Sequence, residues 1–177
     1  MPAPSYAALF DLPSLVSAAV KAVLVADKTT LIGSDTSADP DAFIFGPREA
    51  LEMPVDRIEV TAGAFTQASG QTIFGDAPGV QFYNDFSGQI YVAVQTPRGT
   101  AVARAEHGKR CGRVAFLLCE TKASITPAIA PYFVPTELRL ESFPRSEPIE
   151  DEDADRTELV IAIRLMLPAS AFPASLA

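Results

Sequence analysis

His107 and Cys111 are the first residues to weigh for chemistry, because imidazole and thiolate are the groups best suited to acid–base or nucleophilic work near neutral pH. Their i, i+4 spacing puts both on one side of a helix, where they suit a nucleophile–base pair or two ligands of one metal. The rest of the chain completes neither arrangement. His107 is the single histidine, Cys119 is the only other cysteine, and there is no CxxC, HExxH, GxSxG or glycine-rich phosphate loop. Zinc takes three or four ligands, so neither a metal site nor a cofactor is expected. A histidine at mid-helix on an apolar stripe reads as core, and the chain as not an enzyme. The competing reading, a small enzyme built on His107 and a nearby thiol, requires that His107→Ala and Cys111→Ser each abolish its activity.

Charge is the second feature that matters for function. The 177 residues carry 14 Lys+Arg against 22 Asp+Glu, a formal net charge of −8. Seven acids and one base, Arg156, lie between Glu147 and Glu158, so most of the excess is local. The run Glu150, Asp151, Glu152, Asp153, Ala154, Asp155 lacks the glycine and ligand order of a calcium-binding loop. It reads as a solvated hairpin loop or as a docking surface. A basic stretch stands elsewhere, with Arg98, Arg104, Lys109, Arg110, Arg113 and Lys122 against Glu106 and Glu120. Opposite patches on one chain either neutralise each other internally or join copies head to tail. The acidic balance argues against non-specific nucleic-acid binding, which needs cations to replace phosphate counterions.

The elements that position these residues follow from hydrophobic period. Val16, Ala19, Val20, Val23 and Leu24 recur at helical steps and predict a first helix over about 14–26. A second helix is expected over 100–121. Ala103, His107, Cys111, Val114 and Leu118 form one stripe on it, with Leu117 beside them. Ala101, Ala105, Gly108, Gly112, Ala115 and Cys119 form another, made only of small residues. Two glycines inside a helix each cost about 1 kcal/mol, so they ask for close approach of another backbone, from the first helix or from a neighbouring subunit. Strands with period two are expected at 57–65, 88–96, 137–143 and 159–167.

These elements predict an α+β fold, with two helices packed on one face of a mostly antiparallel sheet of about four strands. The other sheet face, with Glu59, Thr61, Tyr91, Gln95, Arg139, Glu141, Arg164 and Met166, is mixed in character and suits solvent or another subunit. Residues 1–177 read as a single domain: 48% are hydrophobic, enough for a core and too many for disorder throughout. Three segments fall outside regular elements, namely a long hairpin loop at about 66–87, an acidic loop at about 147–156 and a Pro-rich tail at 168–177. Phe74, Phe82, Tyr83 and Phe86 in the long loop either fold back on the sheet or form an interface arm. The start of the chain reads neither as an export signal nor as a membrane span, and two thiols fit a reducing compartment such as the cytoplasm.

The sequence of an amphipathic helix, a strand and long loop, GQIYVAVQTPRG, the helix RAEHGKRCGRVAFLLCE, then PYFVPTELRLESFPRS, an acidic loop and RTELVIAIRLMLPASAFP resembles the small tail-terminator and neck proteins of long-tailed bacteriophages. The resemblance covers most of the chain as a pattern of elements. It implies a structural virion protein, made in the host cytoplasm, whose copies form a ring, commonly a hexamer. Such a ring caps the tail tube, stops its growth and provides the surface that joins the head. Its implied partners are further copies, the tail-tube protein and neck or connector proteins, with DNA passing through the lumen unread. The interface candidates are Phe74, Phe82, Tyr83, Phe86, Arg104, Lys109, Arg110, Arg113, Glu150, Asp151, Glu152, Asp153 and Asp155. A head-completion or stopper protein, or a small non-viral adaptor, shares the same pattern.

Overall fold

Strict alternation over long stretches builds the sheet. The structure, a computed structural model, describes residues 12–27, 31, 44–46, 56–74, 81–99, 101–120, 134–141, 147–149 and 154–168. Their order is α1 (Leu12–Ala26), β1 (Ile44–Phe45), β2 (Arg57–Ala62), β3 (Thr66–Phe74), β4 (Gln81–Pro97), α2 (Ala101–Glu120), β5 (Val134–Leu140), β6 (Glu147–Ile149) and β7 (Ala154–Pro168). The central strands β4 and β7 pair antiparallel in an unbroken register, from Tyr83 opposite Pro168 to Pro97 opposite Ala154. Around them the order is β1-β2-β4-β7-β5, with β3 also on β4 and β6 also on β7. β1 runs parallel to β2, and the other pairings are antiparallel. The fold is thus α+β with an open sheet, as its periodicity implies.

Two expectations are corrected and a third is divided. The long loop at 66–87 is a strand pair, with β3 lying on β4 from Thr66 opposite Ser87 to Phe74 opposite Gln81. Its glycines and polar residues hid the strand because they break the hydrophobic alternation. Most of the acidic loop is strand as well: β6 and β7 enclose only 150–153, and Asp155 and Arg156 belong to β7. Short polar strands that pair at a sheet edge leave little hydrophobic signal. The small-residue stripe of α2 divides: Ala115 and Cys119 pack inward, but at its two glycines no other described backbone comes close. A Cβ at Gly108 or Gly112 would meet nothing within 4 Å among the described residues.

The core lies between the helices and one sheet face. Leu12, Val16, Val20, Val23 and Leu24 of α1 and Val114, Leu117 and Leu118 of α2 are buried there. They meet Ile58 and Val60 of β2, Ile90, Val92 and Val94 of β4, Leu138 of β5, and Leu159, Ile161, Ile163 and Leu165 of β7. Between β2 and β3 the chain bulges at residues 63–65, and Gly63 N–H donates to Gln89 O at 2.8 Å. Phe65 then lies flat over Gly88, where a Cβ would stand 2.8 Å from its ring. Ser17 interrupts the apolar face of α1 for a reason of the same kind: its Oγ accepts the Ala62 backbone N–H at 2.9 Å, just ahead of the bulge. Ser17→Ala orphans that N–H and should lower stability by about 1–3 kcal/mol in urea unfolding. A loss below about 0.3 kcal/mol would show that water reaches the group.

Candidate functional site

On the inward face the apolar row of β4 gives way to Thr96 and that of β7 to Thr157, with Asp155 beyond it, so two hydroxyls stand where the apolar rows stop. His107 of α2 fits between them. Nδ1 shares a hydrogen bond with Thr96 Oγ1 at 2.8 Å, and Nε2 shares one with Thr157 Oγ1 at 2.8 Å. All three residues are buried. The Cys111 Sγ lies 3.7 Å from Nε2, a weak contact, and burial pushes its thiol pKa up, against the demands of a nucleophile. Both ring nitrogens are therefore engaged in joining α2 to the two central strands. Among the described residues no group of three or more His, Cys, Asp or Glu gathers where a metal could sit.

Burial also holds the His107 pKa below its ordinary value. Asp155 and Asp56 act in the opposite sense, and Arg110 adds to the lowering. The unfolded chain therefore takes up the proton first as pH falls. The contribution is fully present above about pH 6.5 and is lost as pH drops through the lower folded value. Urea unfolding at pH 7.5 and 5.5 should show this loss, and His107→Leu should remove that part of the slope. An identical slope in the variant would assign the loss to other groups.

The sheet face away from the helices carries paired charges. The Glu59 carboxylate accepts from Arg57 Nε at 2.5 Å and from Arg156 Nη1 at 3.2 Å. Burial raises its pKa, but the hydrogen bonds from Arg57 and Arg156 outweigh this and hold it below the ordinary carboxylate value. Arg156 also reaches Gln95 Oε1 at 3.5 Å, and Gln95, expected on this face, is buried there. Further along, Tyr91 Oη donates to Gln89 Oε1 at 2.6 Å, and Gln89 Nε2 donates to Glu141 Oε2 at 2.7 Å. Arg139 pairs with Glu137 at 3.2 Å, and Arg164 pairs with the buried Asp85. These long side chains wall a trough of about 440 Å³ where small residues, Gly63, Ser87 and Ala162, take their turn on the strands.

The expected interface residues are dispersed. Phe74, Phe82 and Tyr83 occupy strand positions in the β3–β4 pair, and their side chains lie outside the described part. Phe86 takes the first of its two readings: it folds back, partly buried against the core. Glu150, Asp151, Glu152 and Asp153 lie outside the described residues. Asp155 approaches Arg98 Nε at 3.9 Å, so one contact between the acidic and basic segments forms within the chain. On α2, Arg110 pairs with Asp56, Lys109 with Glu106 at 2.5 Å, and Arg113 reaches the Leu31 carbonyl at 3.5 Å. Arg104 is exposed.

The surface missed in the sequence lies on that same helix. Val102 and Phe116 are 71% and 60% exposed, and they are the large exposed hydrophobics among the described residues. With Ala105, Lys109 and Gly112 they step by three and four along one line. The available signal was angular: Phe116 falls on neither the His107 stripe nor the small-residue stripe.

An open sheet carrying one helical layer, with its single histidine held in the packing, defines the class of structure as a two-layer α+β domain with two faces that no other described element covers. No protein-family model matches the chain, and no curated protein matches it in sequence. Among solved structures, a chain of the virion of a native gene transfer agent (GTA) particle is similar over 92% of this chain and 99% of its own. The identity is 19% and the TM-score 0.49, too low for the likeness to carry an argument about function.

Proposed function

We propose that this chain is a structural virion protein of the tail-terminator type, acting as an assembly subunit and not as an enzyme. Its copies form a ring, of six in this reading, that caps the tail tube, ends its growth and offers the head-joining surface to neck proteins. The observation that carries this reading is the outer face of α2, where Val102 and Phe116 stand exposed in line with Lys109. A domain whose other described large hydrophobic side chains are buried or half-buried, yet which keeps these two in water on a helix pinned from behind, presents a surface for a partner. The resemblance of its element order to tail-terminator and neck proteins supports the same reading. His107 supports the non-enzymatic part, since both its nitrogens are taken up in packing.

Two measurements test the proposal. Particles from the encoding phage or phage-like agent should carry the protein at the head-proximal end of the tail, by immunogold labelling. Deleting its gene should yield tails of uncontrolled length. Absence from purified particles, or normal tails after deletion, overturns the reading. A label at the joint together with normal tail length would point instead to a stopper or head-completion protein.

A further inference from the structure

We infer that copies of this chain associate front to back, with the outer face of α2 of one copy seated in the trough on the open sheet of the next. The inference deepens the ring reading by naming the contact between subunits, and it rests on that reading for copies being brought together. The two surfaces lie on opposite sides of the domain, one outside the helical layer and one outside the sheet. A contact between them is therefore heterologous, and repeats until it closes. It also completes the layering, because a second copy's helix covers the sheet face that this copy's helices leave open.

Shape and charge both select a second copy. The helix line from Val102 to Phe116 is about 21 Å long, and Ala105 and Gly112 on it present little or no side chain to hold another surface away from Phe116. Phe116 is the protruding group. The trough, about 440 Å³ over Ala162, is concave, and a cavity of roughly 150 Å³ already admits a benzene ring. The helix is basic along this side, through Lys109 and Arg113 against Glu106. In the trough Arg139 and Arg164 each already face a carboxylate. Glu141 receives a neutral donor, the Gln89 amide, and so offers its charge to an incoming cation. Lys109, two turns from Phe116 on the same line, is that cation. Its pair with Glu106 is more than half exposed on both sides and is weak enough to exchange.

The test uses the full chain and light scattering after size exclusion over a range of concentrations. Wild type should self-associate, more weakly as salt rises. Phe116→Asp alters only an exposed side chain and should weaken association about thirtyfold or more. Ala162→Phe, which fills the trough, should do the same, and Glu141→Arg is the second trough variant should the first not fold. Each single variant keeps one good face, so an equimolar mixture of Phe116→Asp and Ala162→Phe should give a heterodimer that grows no further. Association that survives either substitution, or a mixture that stays monomeric, overturns the contact. A wild type that is monomeric throughout overturns it as well. Failure of the ring reading is seen separately: there the wild type is absent from purified particles, whereas here the variants would enter particles like wild type.

Discussion

His107→Ala should destabilise the protein by about 3 kcal/mol in urea unfolding at pH 7.5, although the residue is polar and the substitution removes no charge at that pH. The reason is the asymmetry of buried hydrogen bonds. Thr96 and Thr157 are both buried, and each turns its hydroxyl to a ring nitrogen of His107. Losing the ring leaves two hydroxyls in the packing, at about 1–3 kcal/mol each, and opens a cavity besides. The partner substitutions separate the causes. In a background carrying Thr96→Val and Thr157→Val, His107→Leu should cost little, because no polar group then remains to be satisfied. If His107→Ala alone costs under about 1 kcal/mol, the network is solvated and its structural role is wrong. The same variants address chemistry: a triple variant that folds and still enters particles would be hard to reconcile with an enzyme acting through His107.

The second large effect is expected at Ile161. This side chain is fully buried at the centre of β7, opposite Ile90 of β4 and Leu140 of β5. Ile161→Ala should cost about 2–5 kcal/mol, and Ile161→Val about 0.5–1.5 kcal/mol, because neighbours on both flanking strands prevent the site from collapsing. Val160, one residue away, points to the opposite face and is half-buried. Val160→Ala should therefore cost less than Ile161→Ala by at least about 1 kcal/mol. Equal losses at the two positions would mean that the open sheet face is covered as thoroughly as the core.

How much of this was legible in the sequence depended on whether an element buries one face. Leu159, Ile161, Ile163 and Leu165 alternate, and the strand they announce is there. The helical stripes of Val16, Val20 and Leu24 and of His107, Val114 and Leu118 likewise reach the core. β3 was hidden because TQASGQTIF mixes polar and glycine residues, and its pairing depends on β4 more than on its own pattern. β1 and β6, of two and three residues, are shorter than any periodicity can register. At the candidate sites, His107 was legible as packing, but its partners Thr96 and Thr157 were not. They come from strands far apart in the chain, and the pairing exists only once β4 and β7 are in register. The trough over Ala162 was illegible for the same reason, since it is made where residues of β3, β4, β5 and β7 and of the bulge at 63–65 meet across the sheet.

The unbroken β4–β7 register has a mechanical consequence. A pull along the strand axis that grips β4 at its Pro97 end and β7 at its Pro168 end loads every rung from Tyr83–Pro168 to Pro97–Ala154 at once. In that shear geometry the rungs must yield together, whereas a pull across the strands opens them one at a time. The domain is accordingly stiff and strong along one direction and compliant along the other, and its resistance to force depends on how it is gripped.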